Sequence, residues 1–297
     1  METLNFHILE DNAGRTVRSV LRGELHFSAR AISRLTRSSS GILVNGVHAR
    51  TTHLLQAGEV LTVEAGDQRL PKTPVVPGPW PIEVVWEDAY FWVVNKPDGM
   101  TAHLSNFLPD TPTVAGALAW TRGSEFLFHA VNRLDKGTTG LMVVAKSGYV
   151  HELFRKALHS DRFNREYRGI CIGCPEPQAG TIDLPIGRDE SSTVKRKIDP
   201  NGAQAVTHYD TLERNGNFSL LRLCPETGRT HQLRLHMAAL GHPLAGDWLY
   251  GTENLALIPR PALHSYALKL LHPVTGEELS FLAPLPKDMQ QLLSPQK

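Results

Sequence analysis

The chain has 297 residues, 41% hydrophobic and 21% charged, with a net charge of +1 at pH 7. That length suits one large domain and a small one, and the charge balance leaves no global field for nucleic acid, so any basic surface must be local. The first residues lack an apolar signal core, no run of about 18 apolar residues would span a membrane, and three cysteines make no disulfide framework, which points to a reducing cytoplasm.

In chain order, TVRSVLRGEL and SARAISRLTRSSS predict two short helices, with Ser28 as the N-cap of the second. GILVNGVHA predicts two strands about a turn at Asn45-Gly46, and LLQAGEVLTVE closes with a strand. Arg15, Arg18, Arg22, Arg30, Arg34 and Arg37 crowd this stretch, and Glu24 is the sole acid between Arg15 and Arg50. Permanently charged guanidinium forks on short helices suit RNA phosphates; scattered arginines also suit plain solvated helix faces. Residues 66–81 carry Pro71, Pro74, Pro77, Pro79 and Pro81. Prolines this dense can supply neither ladder donors nor helix interiors, so the segment should be an extended, semi-rigid connector.

Beyond residue 82, VVWEDAYFWVVNKP predicts a strand, a turn and a strand, and GLMVVAK another strand. HELFRKALHS fits a helix; REYRGICIG, AVTHYDTLER and FSLLRLCPE read as strands. HQLRLHMAALG predicts a helix with Gly241 past its end, and ALHSYALKLLHPVTGEELSFLAP a hairpin about Thr275-Gly276. Strands at hairpin distance predict an α+β fold, a mostly antiparallel sheet with helices packed on it.

Several chemistries lack their residues. GTTG and TGRT are glycine-bearing but give neither phosphate-loop nor dinucleotide fingerprints. Cys171 and Cys174 form one C-x-x-C without a second pair, so small core residues are the simpler reading than zinc or redox. His231 and His236 stand five apart with no intervening Glu, unlike a zinc hydrolase helix. No metal and no cofactor is expected. There remains NRLDKGTTGLMVVAKS at 132–147, where Asp135 follows Arg133 at the mouth of a strand. A turn aspartate capping local amides is one reading. A glycosidase would need a second carboxylate about 5–10 Å away, for which Glu226 is the nearest candidate in a motif. An aspartate beside a guanidinium favours its charged form, which suits nucleophilic attack or charge stabilisation; the block ETGRTHQLRLH supplies Arg229 and Arg234.

These blocks together resemble the RluA-type family of RNA pseudouridine synthases. WEDAYFWVVNKPDGMTAH, NRLDKGTTGLMVVAKS, REYRGI, ETGRTHQLRLHMAALGHPLAGDWLYG and ALHSYALKLLHPVTGEELSFLAPLP occur in the family's order over nearly the whole chain. Residues 15–64 are similar to the small RNA-binding module first recognised in a ribosomal small-subunit protein. The resemblance implies a small RNA-binding domain over 1–65, the connector over 66–81, and a catalytic domain over 82–297 with its site in a central cleft. It implies a cofactor-free isomerisation of uridine in ribosomal or transfer RNA by a cytoplasmic protein acting as a monomer, with no membrane and no nucleotide cofactor. Residue by residue it puts Asp135 at the essential aspartate, Arg133 in the space left by the extruded base, and Tyr167 against the flipped uracil. It makes Arg229 the partner of the aspartate and Leu235 a wall of the base pocket. Two positions depart from the family's pattern: Asn132, where His is usual, and Thr139, where Ser is usual. A binding protein of the same fold without activity is the competing expectation.

Overall fold

The computed structural model describes residues 3–66, 75–103, 111–123, 127–158, 160–252 and 257–294. The first part builds a four-stranded sheet from β1 (Thr3–His7), β2 (Ile42–Val44), β3 (Val47–His48) and β4 (Val60–Glu64), in the order β1-β4-β2-β3 and antiparallel throughout. Helices α1 (Val17–Gly23) and α2 (Ala29–Leu35) pack on it. Each starts where a hydroxyl replaces a missing helical acceptor: Thr16 and Ser28 accept from the amides of Ser19 and Ala31 at 3.2 and 3.1 Å. Val17, Val20, Leu21, Ile32 and Leu35 then meet alternate residues Leu61 and Val63 of β4 in one apolar cluster. The β2–β3 turn holds Asn45 at φ 49° and Gly46 at φ 79°, the left-handed pair that a two-residue hairpin needs.

The second part is a ten-stranded, mostly antiparallel sheet with helices on it, the α+β fold expected. Its strands are β5 (Glu83–Glu87), β6 (Phe91–Lys96), β7 (His129–Ala130), β8 (Thr139–Ala145), β9 (Phe163–Ile172), β10 (Ala179–Asp183), β13 (Val206–Asn215), β14 (Phe218–Pro225), β15 (Leu263–Leu271) and β16 (Glu278–Leu282). The order is β10-β13-β14-β9-β15-β8-β6-β5, with β16 on β15 and β7 on β8. A separate ribbon pairs β11 (Ile186–Arg188) with β12 (Arg196–Ile198). The helices are α3 (Val114–Arg122), α4 (Gly148–Ala157), α5 (Gln232–Ala239) and α6 (Lys287–Leu293).

Strand β8 is buried on both faces. Met142 and Val144 join a cluster with α3 and α5 residues, while Leu141, Val143 and Ala145 join one with Val150 and Phe154 of α4. That is why its sequence is an unbroken apolar run. Its start pairs in parallel with β15 at Thr139–His264 and Gly140–Ser265, the parallel contact in an otherwise antiparallel sheet. Gly140 sits at φ 106°, and a Cβ there would lie 2.2 Å from the Ser265 carbonyl oxygen, so only glycine lets the two backbones approach.

The described half of the proline-rich segment, residues 75–81, does not run free. Gly78 N donates to Gly116 O at 3.1 Å, and Trp80 packs on the cluster beside α3; the 67–74 half lies outside the described residues. The small sheet unit also touches the large one. The Phe27 ring stacks on Tyr149 of α4 at 4.3 Å, the Tyr149 hydroxyl donates to Leu25 O at 2.9 Å, and Lys156 donates to His26 O at 3.1 Å. Helix α4 begins three residues before HELFRKALHS, because Ser147 accepts from Val150 N and caps it; His159, in its last turn as expected from sequence, lies outside the described residues. Helices α3 and α6 and the strands β1, β7 and β10 to β12 were not anticipated.

Candidate active site

The loop between β7 and β8 carries Asp135 into a cleft of about 480 Å³, lined also by Arg133, Tyr167, Arg229, His231 and Arg234. Two buried cations hold this loop by its carbonyls. Lys96, wholly buried, donates to Lys136 O at 3.1 Å and to Pro97 O and Met100 O at 2.9 and 2.8 Å. Burial pushes its pKa down to about 7, against the pull of Asp98 and Asp135. Arg260 donates to Gly137 O at 3.1 Å while Asp288 of α6 grips it at 2.7 and 2.9 Å. Thr138 N closes the turn on Asp135 O at 3.0 Å. The aspartate is thus presented by a braced turn rather than a pliable one.

The expected Arg229–Asp135 pair is absent. Arg229 is exposed in the loop before α5, and its Nε donates to Gln204 O at 2.9 Å. Arg234, one turn further along, faces the aspartate instead: Nη1 lies 3.4 Å from Asp135 Oδ2. Its Nε and Nη2 donate to Asp247 Oδ2 and Oδ1 at 2.7 and 2.8 Å. Asp247 is fully buried and also accepts from the amides of Leu249 and Tyr250, so its charge is satisfied without water. Burial opposes the Arg234 charge, but the Asp247 hydrogen bond and charge outweigh it and raise its pKa. Among the described residues no group hydrogen-bonds Asp135 Oδ1.

His231 approaches the same Oδ2 with Nε2 at 3.9 Å. It occupies the N-cap of α5 at φ 59° without making a side-chain cap bond, a left-handed conformation that costs on the order of 1–2 kcal/mol. Its Nδ1 lies 3.0 Å from the Tyr250 hydroxyl, which accepts from Arg196 N at 2.9 Å. Burial lowers the His231 pKa, Asp135 opposing and Arg234 adding to the effect. Tyr167 stands on β9 between β14 and β15, 7% exposed, and burial raises its pKa. Arg133 is exposed.

Leu235 is corrected as a wall of the cleft. It packs against Ile186 and Ala205 on another face of α5, and the apolar lining includes Leu134, Leu158, Leu233 and Leu263 instead. Successive residues on a helix point about 100° apart, so 233 and 235 cannot share the cleft. Both departures from the family's pattern have partners inside the fold. Asn132 is buried, accepting from Val143 N at 2.8 Å and donating to Leu141 O at 3.4 Å. Thr139 pairs with His264 Nδ1 at 2.8 Å, whose Nε2 meets Ala283 O at 3.1 Å. Glu226 does not join Asp135. It meets His208 at 2.6 Å and lines a neighbouring groove of about 740 Å³. Among the described residues Asp135 is the only carboxylate lining the cleft. Cys171 is buried in β9, both C-x-x-C sulfurs are free thiols, and no three described His, Cys, Asp or Glu side chains cluster as metal ligands.

From sequence His231 is weighed only as a zinc ligand, and Asp247, Tyr250 and Lys96 are not singled out. The available signal was the polar density of 226–251, where each polar residue buried by an otherwise apolar helix needs a partner.

The fold matches that of human RNA pseudouridylate synthase domain containing 4, with TM-score 0.56 and 26% identity over 72% of this chain and 95% of that one. The chain belongs to the RNA pseudouridine synthases: the profile described as RNA pseudouridylate synthase matches residues 90–239. The Bacillus subtilis protein named uncharacterized RNA pseudouridine synthase YjbO is 36% identical over 273 residues, 91% of this chain and 96% of that protein. The Vibrio cholerae ribosomal large subunit pseudouridine synthase D is 40% identical over 279 residues, 84% of this chain and 82% of that protein. The chain is therefore an isomerase that forms pseudouridine in RNA. No described helix is long and apolar enough to cross a membrane.

Proposed function

We propose that this enzyme converts specific uridines of a structured ribosomal or transfer RNA to pseudouridine, with Asp135 as the carboxylate that engages the sugar. The observation that carries this is that Asp135, the carboxylate lining the cleft among the described residues, has Oδ2 facing Arg234 and His231 and no described hydrogen bond to Oδ1. Attack at the anomeric carbon and removal of the neighbouring ribose proton both use that uncommitted oxygen. The nitrogen–sugar bond breaks, the uracil turns, a ring carbon bonds the sugar, and the proton it carried is replaced on nitrogen, so atoms balance without a cofactor.

A stacked base is out of reach of the cleft, so the nucleotide must swing out, at a cost of a few kcal/mol. Exposed Arg133 at the rim has the planar group to fill the gap, and the Tyr167 face offers the uracil a stacking partner. Residues 1–65 serve as the RNA-binding unit. Their arginines are not equivalent: Arg15 is held by Asn12 and Glu24, both at 2.7 Å, Arg18 reaches Thr51, and Arg22 is exposed. Arg30, Arg34 and Arg37 line one groove of about 490 Å³ against Tyr149, the better phosphate track. A ribosomal substrate is favoured by the name of the Vibrio cholerae relative.

The test is incubation with labelled ribosomal and transfer RNA transcripts and analysis for the carbon-linked nucleoside. Asp135→Asn should bind RNA and form no product; product from that variant would overturn the assignment. Replacing Arg30, Arg34 and Arg37 by alanine should weaken binding and reduce the slope of log affinity against log salt by roughly 0.7–0.9 per lost phosphate contact. An unchanged slope would refute the track.

A further inference from the structure

We propose that His231 is a positioning residue for the reaction, a neutral imidazole whose Nε2–H is aimed at Asp135 Oδ2 so that Oδ1 alone meets the ribose. The inference rests on Asp135 being the reacting carboxylate.

The tautomer follows from where the protons of this cluster can go. The Tyr250 hydroxyl accepts a hydrogen bond from Arg196 N at 2.9 Å. Its own single proton has one acceptor within reach among the described residues, His231 Nδ1 at 3.0 Å. A Tyr hydroxyl that donates to Nδ1 leaves the neutral ring's proton on Nε2. Nε2 is the atom 3.9 Å from Asp135 Oδ2, beside Arg234 Nη1 at 3.4 Å from the same oxygen. Two nitrogens from the start of α5 therefore approach Oδ2, and no described residue hydrogen-bonds Oδ1. The 3.9 Å separation is longer than a hydrogen bond, as donor geometry often is before substrate fills a site.

Two further observations fit a positioning role. The backbone of residue 231 is left-handed, at φ 59°, a conformation maintained where surrounding structure over-determines it, often at functional sites. The side chain also forgoes the helix cap, which a residue at this position usually supplies. The charged and titratable groups around the ring come from every element packed on it: Asp135 from the β7–β8 loop, Arg234 from α5, Asp247 and Tyr250 from the segment after α5, and Arg196 from β12. Lowered basicity in that burial keeps the ring neutral, as that tautomer requires.

The test compares His231→Asn with His231→Gln in full-length enzyme. Asparagine tolerates the left-handed backbone and keeps a polar group near Tyr250, but cannot reach Asp135. Glutamine carries its amide N–H out to the Nε2 position. His231→Asn should lower single-turnover kcat on the order of 100-fold, with KM and RNA affinity within about twofold of wild type and an unchanged Tm. His231→Gln should recover most of that loss, and Tyr250→Phe should cost roughly tenfold. Wild-type kcat in His231→Asn, equal loss in both His231 variants, or a defect confined to RNA affinity would each overturn the proposal. Asp135→Asn is run alongside: its retaining activity would instead remove the reading on which this one stands.

Discussion

Arg234 offers Asp135 a single nitrogen, Nη1 at 3.4 Å, because its Nε and Nη2 are both committed to Asp247 at 2.7 and 2.8 Å. The guanidinium is thereby oriented from behind by a carboxylate that never touches the cleft, and only its outer edge is available to the aspartate in front.

Asp247→Asn should therefore damage both stability and turnover. The substitution removes the buried countercharge from an arginine whose side chain is 6% exposed, and breaking such a pair costs about 3–5 kcal/mol. Urea denaturation should show a clear fall in midpoint, and activity in the surviving folded fraction should also fall. A midpoint equal to wild type would mean that Arg234 finds another anion.

Arg234 and Arg229 should separate cleanly under mutation. Arg234→Lys replaces a planar fork by a point charge that cannot hold Asp247 with two nitrogens and still face Asp135; kcat should drop on the order of 100-fold. Arg229→Ala loses one exposed hydrogen bond to Gln204 O, about 1 kcal/mol or less, and should leave kcat within a few-fold. Steady-state kinetics on one RNA transcript decides, and the reverse ranking would restore Arg229 as the partner of the aspartate.

The buried Lys96 should impose a pH dependence on stability. Its folded pKa is lowered from 10.5 to about 7. Between those values the unfolded chain binds more protons than the folded one, so stability contributed here rises with pH through that window. Below pH of about 7 both states carry the proton and the slope vanishes. Urea midpoints from pH 7 to 10 should thus climb more in wild type than in Lys96→Met. Equal slopes would mean that the three carbonyls of Pro97, Met100 and Lys136 keep the ammonium charged.

Tyr149 should hold the small sheet unit in place. Tyr149→Ala deletes the Phe27 stack and the hydrogen bond to Leu25 O, each worth about 0.5–1.5 kcal/mol. Limited proteolysis should cut the variant faster within residues 66–81, and RNA affinity should fall while activity on a short RNA at saturation is kept. Unaltered cleavage would show that the other contacts suffice.

Much of the fold could be read locally. Ser28 as a cap, Asn45-Gly46 as a hairpin turn, Gly241 at φ 86° past α5, and the long strands at 163–172 and 206–225 all follow from rules spanning a few residues. Helix α3 escaped because AGALAW is small-residue rich, with Gly116 accommodating Trp80; a Cβ there would lie 2.5 Å from that ring. The reason for the glycine sits across the fold, so no window around residue 116 reveals it. The proline-rich segment reads as extended, but its docking on α3 depends on the same distant surface.

For the site, the sequence by itself determined which blocks would line the proposed cleft: a lone aspartate in a loop entering a strand, and a polar, arginine-bearing stretch opening a helix. Only the tertiary structure decided that Arg234 rather than Arg229 meets Asp135, that Leu233 rather than Leu235 walls the cleft, and that Asp247 stands behind them. Motif spacing establishes that these residues are near one another. Which of them points inward depends on the rotation of α5 about its axis, set by a buried ion pair and by leucines packing against strands far away in the chain.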